Sequence, residues 1–264
     1  MRIIHDTAND AAFNMAADLW LLRHCPGSPT VNVRLYGWAV PTVSLGFMQR
    51  ADSVLDLDAL RRAGGCWIRR PTGGRAVLHD GDLTYSVVFP HGIARMGSTI
   101  METYGRIADC LVAGLARAGI VCRPHDSNLN PALVRGETKL PCFLAPNRRE
   151  IMVEGRKLIG SAQRRTGQAV LQHGSIPITP GFRSLPSLSN DSERRRTRQR
   201  RLFDDKCTCI QEHCRDTDAE SLAECLIEGF TKTVPLEAVR AGWTGDERAE
   251  IEALARSSAF RGTY

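Results

Sequence analysis

Arg69-Arg70-Pro71-Thr72-Gly73-Gly74-Arg75-Ala76-Val77-Leu78-His79-Asp80 is the stretch from which the rest of the chain can be read. It lies between two strand-like segments and combines three arginines, a glycine pair and a closing His-Asp. Adjacent glycines let the backbone take positive φ and bring bare N–H groups against a ligand, because no Cβ stands in the way. Arginine forks suit phosphate or carboxylate. A Gly-Gly alone would describe an ordinary hairpin with solvated arginines. The whole string describes an anion-binding loop that its ligand approaches closely.

Working outward, Cys66 to Arg70 enters the loop as a strand. On the far side Leu83, Tyr85, Val87 and Phe89 alternate with Thr84, Ser86 and Val88, the period-2 pattern of a half-buried antiparallel strand. Upstream, Asp10 can cap a helix whose apolar positions Phe13, Ala16, Ala17, Trp20 and Leu21 follow helical spacing. Val31 to Trp38 and Thr42 to Phe47 read as strands, and Asp56 to Ala63 as a short helix stopped by Gly64-Gly65. Downstream, Thr99 and Glu102 form a capping box before a helix that buries Ile107, Ala108, Leu111 and Leu115 and ends at Gly119. Ile120 to Arg123 is expected to be a short strand, Pro124 to Pro141 a long polar loop, and Cys142 to Ala145 a strand. Glu150 to Val153, Lys157 to Arg164 and Ala169 to Ile178 then make a meander with turns at Glu154-Gly155 and Thr166-Gly167. Helices are expected over 191–203, 219–233 and 245–256. The pattern predicts one α/β (α+β) domain over residues 1–264, with a mainly antiparallel or mixed sheet packed by helices and a helical C-terminal segment from about 190 to 264.

At 264 residues, with 42% hydrophobic and 24% charged content, the chain can bury a full core and is not a disordered protein. No apolar run approaches a membrane span, and the first residues lack a signal-peptide core, so a cytoplasmic protein with no membrane association is expected. Nine cysteines, an odd number, then argue for reduced thiols rather than a disulfide framework. The net charge of +6 is matched by six arginines within eight residues, at 194, 195, 196, 198, 200 and 201. Such a run fits an acidic macromolecular partner, but an isolated run more often forms a solvated helix face, so a nucleic acid is not expected.

Chemistry-bearing residues stand at several points. Cys142 follows Pro141, and a thiol near the basic loop would be held toward the thiolate, although position alone gives it no advantage over eight other cysteines. Lys157 sits in Gly155-Arg156-Lys157-Leu158-Ile159-Gly160-Ser161-Ala162-Gln163, where an ammonium can stabilise developing negative charge, although a lone Gly-Arg-Lys would describe a surface lysine at a hairpin. His79, Asp80 and His173 can serve acid-base chemistry or line a pocket. Gly160-Ser161-Ala162 lacks the nucleophile-elbow pattern. Cys207, Cys209, His213 and Cys214 are four soft ligands within eight residues. Cys-x-Cys departs from the paired spacing of structural zinc sites, and the balance is against a metal.

Three strings together resemble the lipoate and biotin protein ligase superfamily: Arg69 to Asp80, Cys142-Phe143-Leu144-Ala145-Pro146 ahead of Glu154-Gly155-Arg156-Lys157, and Gly155 to Gln163. Within it they are most similar to the LipM-type octanoyltransferases, over roughly residues 10 to 230. The resemblance implies the catalytic-domain fold of that superfamily, Cys142 as a nucleophile that carries an octanoyl thioester, and Lys157 at the acyl carbonyl. It implies Arg70, Gly73, Gly74, Arg75, His79, Gly160, Ser161 and His173 as substrate-binding residues, and no cofactor. The implied donor is octanoyl-acyl carrier protein. The implied acceptor is the lysine of an apo lipoyl-carrier protein, such as the glycine cleavage H protein or a lipoyl domain of a 2-oxoacid dehydrogenase. Cys207 is the rival nucleophile, because in LipB-type enzymes the cysteine follows the lysine. An ATP-dependent lipoate-protein ligase and an octanoyl amidotransferase acting between lipoyl proteins are the rival activities. Arg75, where ligases generally carry a third small residue, weighs against the ligase.

Overall fold

A computed structural model describes residues 1–125 and 150–257. In chain order the elements are β1 (Arg2–Asn9), α1 (Ala11–His24), β2 (Asn32–Trp38), β3 (Thr42–Leu45), α2 (Ala51–Val54), α3 (Leu57–Arg62), β4 (Cys66–Arg69), β5 (Val77–His79), β6 (Asp82–Pro90), α4 (Ile100–Arg117), β7 (Arg123–His125), β8 (Glu150–Val153), β9 (Arg156–Arg165), β10 (Ala169–Pro177), α5 (Glu193–Lys206), α6 (Ala219–Thr233), β11 (Val239–Arg240) and α7 (Gly245–Ala255). Local signals account for most of the boundaries. The Asp10 carboxylate accepts the Phe13 N–H at 2.8 Å and starts α1. Thr99 and Glu102 close a reciprocal capping box on α4, and Thr244 with Glu247 does the same for α7.

Among the described residues the main sheet runs β11-β1-β2-β6-β10-β9-β8-β7. Pairing is parallel at β11/β1 and β1/β2, where α1 makes the crossover, and antiparallel from β2 onward. A second, three-stranded sheet, β4-β3-β5, carries the Arg69 to Asp80 loop between its outer strands. The α/β reading with a mixed, mainly antiparallel sheet holds.

Several local expectations are corrected. The N-terminal segment is strand β1, whose alternation is obscured by its polar middle (His5, Asp6, Thr7). The tail is not wholly helical, because after α6 the chain returns to add β11 as an edge strand parallel to β1. The strand expected at Ile120 to Arg123 falls at Arg123–His125, paired with β8. Residues 126–149, which include Cys142, the predicted strand there and most of the predicted loop, lie outside the described residues.

β6 departs from expectation in a way that explains the site. It is buried along its whole length, not on one face. Leu83, Tyr85, Val87 and Phe89 pack into the core under α4 and α6. The other face turns toward α1, where Val88 joins Leu21 and Leu22. Thr84 and Ser86 on that second face therefore point into the protein, where buried hydroxyls need partners.

Helices α4 and α6 cross at glycines. A Cβ on Gly229 would lie 2.5 Å from the Cys110 carbonyl oxygen and 2.5 Å from the Gly114 nitrogen, backbone atoms that cannot swing aside. Gly229→Ala should therefore push the helices apart and cost roughly 1–3 kcal/mol despite alanine's better helix propensity, read as a lower urea midpoint. A midpoint at or above that of the parent would show that the crossing relaxes freely.

Candidate active site

The site is built on the face of the sheet that β6 turns toward α1. Strand register aligns two rows across four strands: Arg34, Ser86, His173 and Ala162, and beside them Tyr36, Thr84, Ser175 and Gly160. Because side chains alternate along a strand, every member of both rows points to this one face. Small residues on β9 leave room there. A narrow pocket opens between this face and the small sheet, walled by Met15, Tyr36, Trp38 and Val77.

Two hydrogen-bonded chains of the same design flank the cavity. In the first, Asp18 of α1 takes four donors: His173 Nδ1 at 2.9 Å, Ser86 Oγ at 2.8 Å, Tyr36 Oη at 3.1 Å and Arg34 Nη1 at 3.2 Å. The other ring nitrogen, His173 Nε2, meets Thr72 Oγ1 of the glycine loop at 2.7 Å. Asp18 and Arg34 are both fully buried. Burial by itself would raise the Asp18 carboxyl, but the His173 hydrogen bond and the Arg34 charge bring it below the usual carboxylate range. Burial lowers the His173 imidazole, so near neutrality the ring is uncharged. An ionised Asp18 can only accept, which assigns the proton to Nδ1 and leaves Nε2 to accept from the Thr72 hydroxyl.

The second chain runs from Asp82 to the small sheet. Asp82 Oδ2 lies 2.8 Å from His79 Nδ1 and accepts from Ser175 Oγ at 2.5 Å and from Thr84 Oγ1 at 3.2 Å. His79 Nε2 lies 2.8 Å from Ser44 Oγ. Trp38 stacks on the His79 ring at 4.2 Å and donates its indole N–H to Thr84 Oγ1 at 2.9 Å.

Both shifts in the first chain act on stability with the same sign. The unfolded chain binds protons that folded His173 and folded Asp18 resist, so the stability is present above the unfolded values and is lost as pH falls. Stability is expected to decline as pH drops below the ordinary histidine value of about 6.5, and further below about 3.9 as Asp18 is forced to protonate. His173→Gln should flatten the upper part of that slope in thermal melts between pH 8 and 5. An unchanged slope would remove His173 as its source.

The sequence-predicted residues divide into those that meet and those that do not. Arg70, His79, Gly160, Ser161 and His173 line the cavity together. Arg70 ties the loop closed: its guanidinium donates to the carbonyls of Ser44 at 2.7 Å, Gly73 at 2.9 Å and Arg75 at 2.7 Å. Gly73 and Gly74 are exposed at the loop tip, Gly74 at φ +95°, and a Cβ on Gly46 beneath them would run into the Gly74 carbonyl. Arg75 is half-buried in the same loop and is not part of the cavity wall. Ser161 turns to Tyr85, with 2.7 Å between their oxygens. Lys157 is buried on β9, three residues before Gly160, in an ion pair with Glu150.

The rival nucleophile and the metal cluster fare differently. Cys207 is fully buried and bridges to the Lys157 backbone, but burial pushes its thiol up to about 12 despite the nearby Lys157 and Arg183 charges. Cys207 and Cys209 join the apolar cluster around Phe182 and Phe203, whereas Cys214 packs against the core on the other side. His213 Nε2 meets Thr208 Oγ1 at 2.8 Å. No three of Cys207, Cys209, His213 and Cys214 bring their ligand atoms within reach of one ion. All eight described cysteines are free thiols.

Sequence reading missed Asp18, Arg34, Ser44, Thr72 and Asp82. A signal for Asp18 does exist: it stands one turn after Asn14 among the small apolar residues of α1, a carboxylate on a face that must be buried.

Comparisons with known proteins agree with this fold. The family model described as the lipoyl protein ligase A/B catalytic domain matches residues 10–231. Octanoyltransferase LipM of Kyrpidia tusciae is 37% identical over 259 residues, covering 96% of this chain and 94% of the relative. Octanoyltransferase LipM of Geobacillus kaustophilus is 38% identical over 251 residues, covering 93% and 90%. Among solved structures, the bi-partite lipoate protein ligase from Thermoplasma acidophilum shares the fold with a TM-score of 0.77 at 22% identity, covering 97% of this chain and 90% of that one. The chain thus belongs to the lipoyl protein ligase A/B catalytic-domain family and stands among its LipM octanoyltransferases.

Proposed function

We propose that this protein is an octanoyltransferase of lipoate biosynthesis, in which one catalytic domain moves an octanoyl group from octanoyl-acyl carrier protein to a lysine of an apo lipoyl-carrier protein. The observation that carries the reading is the near full-length likeness to LipM octanoyltransferases at 37% and 38% identity. The cavity supports it in kind: the surface it exposes is mostly apolar, and its polar side chains are held in hydrogen bonds to one another, as an acyl chain ending in a thioester requires.

In the proposed course the Cys142 thiolate attacks the thioester carbonyl, and the carrier's sulfur leaves as a thiolate with the electron pair of the broken C–S bond, taking a proton from water. The acceptor amine then attacks the new thioester, an amide forms, and Cys142 leaves with its electron pair while the amine loses a proton. Exchange between thioesters is nearly balanced and amide formation is downhill, so no ATP and no cofactor are required. Two steps also let the donor depart before the acceptor docks. Lys157 supplies positive charge for the developing oxyanion, and Glu150 holds that ammonium in place. His79 and His173, each oriented by a buried carboxylate, define the rim on which the acyl head rests. A reaction that draws on carrier-bound acyl groups fits the cytoplasm, and no described helix is long and apolar enough to cross a membrane.

Intact mass spectrometry after mixing with octanoyl-acyl carrier protein, without ATP, tests the reading. A hydroxylamine-labile octanoyl adduct that is discharged by an apo lipoyl domain is expected. Lipoylation that appears only with ATP and free lipoate would establish the ligase instead.

A further inference from the structure

Three arginines that are far apart in the chain converge on one groove. Arg23 closes α1, Arg69 ends β4 and Arg164 lies near the end of β9, and with Phe47 they line an open space of about 460 Å³. Among the described residues no carboxylate lines it. Arg69 donates to the Phe47 carbonyl at 3.3 Å, and Arg164 donates to the Pro71 carbonyl at 3.1 Å while its guanidinium lies 5.9 Å from the Phe47 ring. Neither these two nor Arg23 meets a carboxylate among the described residues. The arginine run of α5 differs in kind: Arg195, Arg196 and Arg200 there are paired with Asp191 and Glu193 on the helix's own surface. The groove instead gathers its guanidiniums around one concave space, although it leaves no run in the sequence.

Two further features give the groove a direction. Arg70 lines both the groove and the catalytic cavity, so the two spaces adjoin across one side chain. At the outer rim Phe47 is 54% exposed and Met48 is 86% exposed, an apolar pair beside unneutralised charge.

We propose that this groove docks the carrier protein of the acyl donor, an acidic helical domain whose phosphodiester-linked arm passes Arg70 and delivers the thioester to the cavity. The proposal rests on the octanoyltransferase reading. Carboxylates and a phosphate complement unpaired guanidiniums, and the apolar rim suits the aliphatic side chains that separate such carboxylates on a helix. The acceptor is disfavoured at this face, since its reactive lysine would bring an ammonium against three guanidiniums.

The test combines direct binding with donor competition. Affinity for fluorescently labelled octanoyl-carrier protein would be measured for the parent and for Arg23→Glu, Arg164→Glu and Arg164→Lys. Initial rates would be compared with octanoyl-carrier protein and with octanoyl-pantetheine, which lacks both the protein and the phosphate. Arg23→Glu, at an exposed position, is expected to weaken carrier binding at least about tenfold at low salt and to lower the preference for carrier over pantetheine by a similar factor. High salt should erase most of that difference, and Arg164→Lys should retain most of the affinity that Arg164→Glu loses. Carrier affinity indifferent to Arg23→Glu, or equal losses with both donors, would overturn the docking site while leaving octanoyl transfer intact. A parent protein that binds the carrier in this charge-dependent way but transfers from neither donor would sink the transferase reading and keep the docking surface.

Discussion

Cys142→Ala is expected to abolish the octanoyl adduct and to lower octanoyl transfer by at least about 10³-fold, the scale on which a covalent nucleophile is missed. The comparison that gives this result meaning is Cys207→Ala. Cys207 is the cysteine nearest to Lys157 in the described structure, and proximity alone would favour it. Its environment does not. The thiol is fully buried among Phe182, Leu185 and Phe203, and its pKa of about 12 leaves almost no thiolate near neutrality. Cys207→Ala should therefore keep the adduct and most of the rate, at the cost of a small cavity. The readout is intact mass with and without hydroxylamine, together with single-turnover rates. An adduct that survives in Cys142→Ala and vanishes in Cys207→Ala would move the nucleophile to the buried position.

The largest effect on stability is expected at Asp18. Removing its carboxylate in Asp18→Ala leaves Arg34 fully buried with Asp6 as its remaining carboxylate, at 2.7 Å, and strips Tyr36, Ser86 and His173 of their common acceptor. Breaking a buried ion pair from one side costs about 3–5 kcal/mol where the surviving charge keeps no partner. Arg34 keeps Asp6, so the loss is expected at the lower end of that range, with the three buried donors left without their acceptor adding to it. Asp18→Asn keeps an acceptor but loses the charge that opposes Arg34, and should fall between the parent and the alanine variant. Urea titration followed by tryptophan fluorescence would measure both. A loss under about 1 kcal/mol for Asp18→Ala would mean that Asp6 and the Asn14 side chain, 2.8 Å from Arg34 Nη2, already satisfy the guanidinium. Activity should drop in step, since His173 would lose the carboxylate that fixes its tautomer and with it the hold on Thr72.

Much of this protein is legible locally because the signals that define its elements are themselves local. A capping box such as Thr99 and Glu102 closes within one turn, and the meander from Glu150 to Pro177 is written in alternation and two turns. The glycine loop is legible for the same reason: Gly73 and Gly74 state a backbone requirement that no neighbouring element has to supply. β1 escaped because its middle residues are polar, and β11 because two exposed residues carry no pattern. β6 was placed with the right phase but the wrong surroundings. Its alternation separates two faces without stating that the polar one is sealed by α1.

What the sequence by itself determined is therefore the family, the element order over most of the described chain, and the loop on which the site is hung. What only the tertiary structure decided is which polar residues share a space. Asp18, Arg34, Ser86, His173 and Thr72 form one hydrogen-bonded chain although they come from a helix, three strands and a loop. Arg23, Arg69 and Arg164 make one positive groove from three segments. The physical reason is common to both. Hydrogen bonds and charge act through distances of a few ångströms in space, and strand register and helix packing, not separation along the chain, set those distances.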